Sequence, residues 1–120
     1  MGKRILLVDD SPTELEFMKK AVGTGEYELM TASNGDEAIK KCIEFKPDLI
    51  LLDVVMPVKD GFSVCRELKK NPETKDIKII IVTSKNKPLD QQWSIKQGAD
   101  SYFSKPFEPT KLSEAVAEMI

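Results

Sequence analysis

Short runs of consecutive apolar residues alternate with stretches of helical periodicity along this chain. Residues 5–8 and 49–52 are apolar at every position, which is typical of strands buried on both faces of a parallel sheet. Strands are predicted at 5–8, 27–32, 49–52, 78–82 and 101–103, and helices open near 12, 35, 61, 88 and 109. The pattern therefore predicts five consecutive strand-and-helix units.

Residues at both ends of the first predicted helix are typical of helix termini. Ser11 suits the capping position, Pro12 suits the first helical position, and Glu14 completes the pattern of a capping box with Ser11. Gly23 and Gly25 are expected to end the helix.

The repeated strand-and-helix unit defines the expected architecture. Parallel strands joined by right-handed helical crossovers form an open sheet with helices on both faces. We therefore expect a single doubly wound α/β domain over residues 1–120, with no linker or repeat. Ligands of such sheets bind at the carboxyl ends of the strands, beside the point where the strand order reverses.

Polar side chains gather at those carboxyl ends. Three carboxylates, two hydroxyl groups and one lysine follow the strands, at Asp9, Asp10, Asp53, Thr83, Ser84 and Lys105. Close carboxylates repel one another, so they take up protons or recruit a cation. Mg²⁺ is usually bound by one or two carboxylates, water and a phosphate group. Lysine and hydroxyl groups suit phosphoryl oxygens, and transfer to an aspartate needs mainly positioning and charge neutralisation.

Composition narrows the functional classes. The chain has 120 residues and a formal net charge of -2, so it gives no reason to expect binding to nucleic acid or insertion into a membrane. Two cysteines and no histidine argue against a metal site built from sulfur or imidazole. Cys42 and Cys65 lie on predicted inner helix faces, with Ile43 and Phe62, and fit the reducing cytoplasm.

Four motifs, taken together, resemble the receiver domain of two-component response regulators. They are Asp9-Asp10, Asp53-Val54-Val55-Met56-Pro57 with Gly61, Thr83-Ser84, and Lys105-Pro106-Phe107. The resemblance covers essentially the whole chain and implies a flavodoxin-like sheet in the order 2-1-3-4-5 with five flanking helices. It also implies a cytoplasmic protein that accepts a phosphoryl group from a histidine kinase. Such a protein then presents a face formed by helix 4, strand 5 and helix 5 to a downstream protein, and it is a phosphoacceptor, not an enzyme.

The same resemblance implies a role for each residue of the strand ends. Asp53 corresponds to the phosphoacceptor. Asp10, with Asp9 partly through water, corresponds to the Mg²⁺ ligands, together with Asp53 and the backbone carbonyl of Val55. Lys105 corresponds to the residue that pairs with the phosphoryl oxygens.

Three further positions carry roles in the family. Thr83 corresponds to the hydroxyl that moves to hydrogen-bond the phosphoryl group, and Tyr102 to the switch aromatic that turns inward with it. Pro106 corresponds to a position that usually follows a cis peptide bond, which is largely a proline phenomenon.

A narrower resemblance rests on residues 71–74, 90–93 and 97–99, which are similar to stand-alone regulators of type IV pilus motility and phototaxis. Positions corresponding to Val55 and Lys85 tune the lifetime of the phosphoryl group in this family. Valine cannot hydrogen-bond an attacking water, whereas lysine adds positive charge, so the lifetime stays open. Trp93 fits either the core or a partner face.

Each motif also has an ordinary structural interpretation. Asp9 and Asp10 fit an acidic pair at a helix start, Asp53 a turn, and Lys105 a solvated loop. Thr83 and Tyr102 could simply pack within strands; they are β-branched and aromatic residues. The occurrence of all of them at one edge of the sheet favours a site.

Three other functions share part of this pattern. A phosphatase that forms an aspartyl phosphate usually has a second aspartate two residues after the nucleophile, where this chain has Val55, and a cap domain. A docking module that is never phosphorylated would not need the complete residue set. The chain could also be the receiver part of a longer regulator.

Overall fold

The computed structural model describes residues 2–23, 27–56, 59–84 and 88–120. The strands are Lys3–Val8 (β1), Tyr27–Ala32 (β2), Leu49–Leu52 (β3), Lys78–Thr83 (β4) and Ser101–Ser104 (β5). The helices are Pro12–Val22 (α1), Gly35–Phe45 (α2), Gly61–Lys70 (α3), Pro88–Lys96 (α4) and Pro109–Met119 (α5). The predicted five strand-and-helix units are confirmed.

The strands form one parallel sheet in the order β2-β1-β3-β4-β5, as the resemblance implied. Val8 at the end of β1 pairs with Leu52 at the end of β3. The backbone N–H of Asp53 donates to the carbonyl of Val8 at 3.1 Å, and that of Asp9 donates to Ala32 at 3.2 Å. The residues that follow β1 and β3 are therefore held side by side by the ladder itself.

Two apolar layers cover the two faces of the sheet. Leu6 and Val8 of β1 point into the layer formed with α2, α3 and Ala99, which follows α4. Ile5 and Leu7 point into the layer formed with α1 and α5. Since neighbouring residues of a strand face opposite sides, burial on both faces explains why the central strands are apolar at every position.

Among the predicted helix details, the burial of Ile43 differs from the structure. Ile43, predicted to be buried on α2, is 37% exposed, whereas Phe62 faces inward as predicted and packs half-buried against the core. Gly23 ends α1 as predicted, with a right-handed φ of -73° and its N–H bonding to the Lys19 carbonyl. Gly25 lies outside the described residues.

Trp93 stands on α4 with 43% of its surface exposed. Its ring meets the ring of Phe62 edge to face, with the centroids 6.2 Å apart and an interplanar angle of 87°. The indole therefore belongs to the surface between α3 and α4, and not to the central core.

The two cysteines lie in the layer under α2 and α3, and both are fully buried. Burial raises the pKa of the Cys42 thiol to about 12 and that of the Cys65 thiol to about 11. Because the thiolate is the nucleophile, neither residue should react with iodoacetamide at pH 8 in the folded protein, whereas both should react in urea. Intact-mass measurement checks this, and native labelling as fast as labelling in urea would contradict it.

Candidate functional site

The carboxyl edge of the sheet brings together three aspartates that the sequence had singled out. One carboxylate oxygen from each of Asp9, Asp10 and Asp53 lies within 4.8 Å of the others. Asp9 and Asp53 are only 1% and 5% exposed, whereas Asp10 is open to solvent. The cluster therefore has a buried floor and a solvent-facing acid at its rim.

Lys105 reaches this cluster from the loop after β5. Its Nζ lies 2.5 Å from Asp9 Oδ2 and 3.7 Å from Asp53 Oδ2. The Lys105 backbone N–H donates to the Thr83 carbonyl at 2.8 Å, which fixes the start of the loop against β4. The peptide bond between Lys105 and Pro106 is cis, as the resemblance implied.

Glu14, which the sequence predicts as part of a capping box, is a further member of the site. The predicted capping box is only half formed, because Ser11 Oγ accepts from the Glu14 backbone N–H at 3.3 Å but the Ser11 N–H donates to Asp9 Oδ1 at 3.0 Å. The Glu14 carboxylate instead lies 3.6 Å from Lys105 Nζ. A motif centred on α1 could not reveal this contact, since Lys105 lies 91 positions later.

The electrostatic balance of the site follows from burial and close charges. Desolvation raises the pKa of the Asp53 carboxyl, and the nearby Asp9 charge acts in the same direction, while Thr83, Lys105 and the Val55 N–H oppose them. Burial alone would lower the pKa of Lys105, but Asp9, Asp53 and Glu14 together raise it. Lys105 is therefore held as a cation among acids whose charges are poorly compensated.

Two neighbours contact the Asp53 carboxylate directly. The fully buried Thr83 side chain is hydrogen-bonded to it, and the backbone N–H of Val55 donates to Oδ1 at 3.3 Å. The Val55 side chain is 52% exposed beside the site, and Ser84 is exposed as well. Pro57 of the predicted motif and Lys85 lie outside the described residues.

Tyr102 lies on β5, paired in register with Ile81 of β4. Its ring packs against the layer under α2 and α3. Its hydroxyl is buried and has no hydrogen-bond partner of normal geometry in the described part of the chain. Burial, followed by the charge of Asp90, raises the pKa of this phenol, while the Ser104 side chain acts on it in the opposite direction. The structure thus places Tyr102 half-buried on the strand next to that of Thr83.

Gly61 serves the site through its backbone. Its N–H donates to the Val54 carbonyl at 3.0 Å. A β-carbon at this position would collide with the Asp53 carbonyl oxygen and would lie 2.8 Å from the Val54 α-carbon. The first turn of α3, capped by Asp60, therefore packs directly on the backbone of Asp53.

The donor set of the cluster suits a hard cation. Carboxylate oxygens are the groups that Mg²⁺ prefers, and Asp9, Asp10 and Asp53 could hold such an ion. A cation among these acids would relieve the repulsion that acts on Asp53.

Comparisons with known proteins agree with this geometry. The family model described as the response regulator receiver domain matches residues 5–117. Protein PilH of Pseudomonas aeruginosa is 38% identical over 94% of this chain and 93% of its own length. A putative response regulator from Chloroflexus aurantiacus superposes with a TM-score of 0.94 at 29% identity, covering 99% of this chain and 98% of that one.

The chain belongs to the response regulator receiver domain family, and it is therefore a receiver of two-component signalling. It spans about half the length of other curated relatives, such as the alkaline phosphatase synthesis transcriptional regulatory protein PhoP of Bacillus subtilis, which is 36% identical over all of this chain and 49% of its own length. No helix within the described ranges is long and apolar enough to cross a membrane.

Proposed function

We propose that Asp53 accepts a phosphoryl group from a phosphohistidine of a kinase, with Mg²⁺, and that the product switches a partner-binding face. The observation that carries this proposal is the setting of the Asp53 carboxylate. It is buried at the end of a central strand, beside two further acids, with Lys105 and Thr83 next to it. Few structural roles would justify so many poorly compensated carboxylates at one point.

In the proposed transfer, an Asp53 carboxylate oxygen attacks phosphorus, the new O–P bond forms and the N–P bond to the donor imidazole breaks. Lys105 supplies an ammonium for the phosphoryl oxygens, and Thr83 supplies a hydroxyl donor. Mg²⁺, when bound, neutralises charge on the phosphoryl oxygens. Its proposed ligands are Asp10, Asp9 partly through water, Asp53 and the carbonyl of Val55.

The proposed output is a shift in the α4, β5 and α5 face. Phosphorylation replaces the single charge of the Asp53 carboxylate with a phosphoryl group that carries about -1.5 to -2 charges, which would draw the Thr83 hydroxyl toward it. Tyr102 lies on the strand next to that of Thr83, and its unpartnered hydroxyl leaves it without a polar anchor among the described residues. A downstream protein that prefers the inward position of Tyr102 would read the signal.

The test is phosphorylation by acetyl phosphate with Mg²⁺, followed by intact-mass measurement. Wild type should gain one phosphoryl group, and Asp53→Asn should gain none. Asp76→Asn is the matched control, since Asp76 is exposed in the turn before β4, and it should behave as wild type. Labelling of Asp53→Asn to the wild-type extent would overturn the assignment of the acceptor.

Mg²⁺ should stabilise the protein through the same acids. We expect a rise in melting temperature on addition of millimolar Mg²⁺, because ligands that bind only the folded state stabilise it. Asp10→Asn should lose most of that rise, since the substitution removes the solvent-facing donor of the cluster. Thermal unfolding with Mg²⁺ and with EDTA measures the difference, and an equal rise in both proteins would contradict the ligand set.

We also propose that residues 1–120 act as one receiver unit in the cytoplasm, as a phosphoacceptor without a separate substrate. Val55 stands where a phosphatase of the aspartyl-phosphate type would carry its second acid, which argues against sustained turnover of phosphoesters. The match to Protein PilH over most of its length supports the resemblance to stand-alone pilus and phototaxis regulators. The relatives of which this chain spans only about half support the alternative that it is the receiver part of a longer regulator.

A further inference from the structure

Glu14 is placed at the solvent edge of the proposed acceptor site. Its side chain is 34% exposed, compared with 13% for Lys105 and 8% for Asp53. Glu14 and Lys105 also line one cleft of about 600 Å³, together with Lys20, Phe17 and Ser84. A small anion that approaches Lys105 from this cleft therefore comes close to the Glu14 carboxylate.

The position of Glu14 at the third residue of α1 normally serves the helix. There its carboxylate would return to the N–H of the capping residue, but Asp9 already accepts from Ser11. The Glu14 carboxylate therefore pairs with Lys105 instead, with its oxygen 3.6 Å from Nζ. Its contact is thus with the phosphoryl-binding cation and not with its own helix.

The charges around Lys105 show what this contact does. The ammonium lies within 3.7 Å of carboxylates from Asp9, Glu14 and Asp53, and Asp10 adds another to the same cluster. Asp9, Asp10 and Asp53 are the proposed metal ligands and phosphoacceptor, so their charges have a use in the transfer. The charge of Glu14 has no such use in the transfer. Instead, the Glu14 carboxylate competes with an incoming phosphoryl group for Lys105.

We propose that Glu14 is a specificity-determining residue that slows phosphorylation by small anionic donors and so favours donors delivered by a docked protein. This inference rests on the proposed role of Asp53. A kinase that docks on the receiver offsets the local repulsion with contacts elsewhere and presents the phosphoryl group already oriented. A free small phosphodonor has no such contacts, so it meets the repulsion in full.

The experiment compares the rate of phosphorylation of Glu14→Gln, Glu16→Gln and wild type with acetyl phosphate and saturating Mg²⁺. Glu16 is the matched control because it lies on the same helix, is exposed and pairs with Lys19 instead of Lys105. At low ionic strength, Glu14→Gln should be about three- to tenfold faster than wild type, while Glu16→Gln should stay within about twofold. Decay after donor removal is measured separately, so that uptake and loss are not confused.

Two further measurements separate a charge effect from a change in helix structure. The gain of Glu14→Gln should shrink to less than about twofold at roughly 0.5 M salt, because screening shortens the range of the repulsion. It should also be smaller with phosphoramidate, which carries less net negative charge than acetyl phosphate. A Glu14→Gln rate equal to wild type, or a gain that is independent of salt, would overturn the role of Glu14 while Asp53 phosphorylation stands. If wild type takes up no phosphoryl group from either donor or from a kinase, both proposals fail.

Discussion

Replacing Lys105 with methionine should lower the free energy of unfolding by about 2–4 kcal/mol in the absence of Mg²⁺. The ammonium is 2.5 Å from Asp9 and 3.7 Å from Asp53, and both acids are almost completely buried. Methionine keeps most of the length of the side chain but leaves these carboxylates without their cation. Breaking a buried ion pair costs more than the pair contributes, since the remaining charge stays desolvated.

Urea denaturation with and without Mg²⁺ measures this effect. Mg²⁺ should restore part of the lost stability, because a divalent cation compensates the same carboxylates. Phosphorylation by acetyl phosphate should still fall about 10- to 100-fold, since the phosphoryl oxygens have lost a donor. Lys111→Met is the control; Lys111 is 71% exposed and pairs with the exposed Glu108, so its loss should cost less than about 0.5 kcal/mol. Equal stability of the two variants would contradict the account of Lys105.

Replacing Gly61 with alanine should also destabilise the protein, by about 2–4 kcal/mol. Propensity alone predicts the opposite, because alanine is a better helix former than glycine. The added β-carbon would however collide with the carbonyl of Asp53 and lie 2.8 Å from the Val54 α-carbon. Backbone atoms of a buried strand end cannot yield as the tip of a flexible side chain can, so α3 and the loop that starts at Asp53 must move apart.

The two consequences of Gly61→Ala are measurable separately. Thermal or urea unfolding reports the lost stability, and the rate of acetyl phosphate labelling reports the displacement of Asp53. Ser63→Ala provides the control in the same turn of α3, where the hydroxyl accepts from the exposed Arg66, and should change stability by less than about 0.5 kcal/mol. A stable Gly61→Ala protein with normal labelling would show that the first turn of α3 is free to shift.

The sheet and the cluster of charged residues at its edge were predictable for a physical reason. A parallel strand buried on both faces must be apolar at every position. The uninterrupted apolar runs at residues 5–8 and 49–52 therefore indicate two such strands. The rule that ligands bind at the carboxyl ends of such strands then placed Asp9, Asp53 and Lys105 at one edge, and the structure brings their charged groups together.

What the sequence could not predict depends on distances between separate elements. The sequence at Ser11 and Glu14 matches a capping box, but in the structure the Ser11 N–H donates to Asp9 and the Glu14 carboxylate pairs with Lys105. Helical spacing predicts that Ile43 is buried. A residue at the edge of the apolar face of a helix can, however, lie at the boundary of the packed layer and stay partly exposed. Local periodicity predicts the direction in which a side chain points, but not how far the neighbouring element covers it.

Trp93, the chain's single tryptophan, gives the molecule an optical reporter of its own. Indole emission depends on solvent exposure, and this ring is partly open while resting against Phe62. Phe62 directly follows Gly61, the residue that packs on the Asp53 backbone. A disturbance at the acceptor thus has only a short path, through the first turn of α3, to the fluorophore on α4. We therefore expect events at Asp53 to change the fluorescence of the unlabelled protein, which allows them to be followed in real time with no partner present.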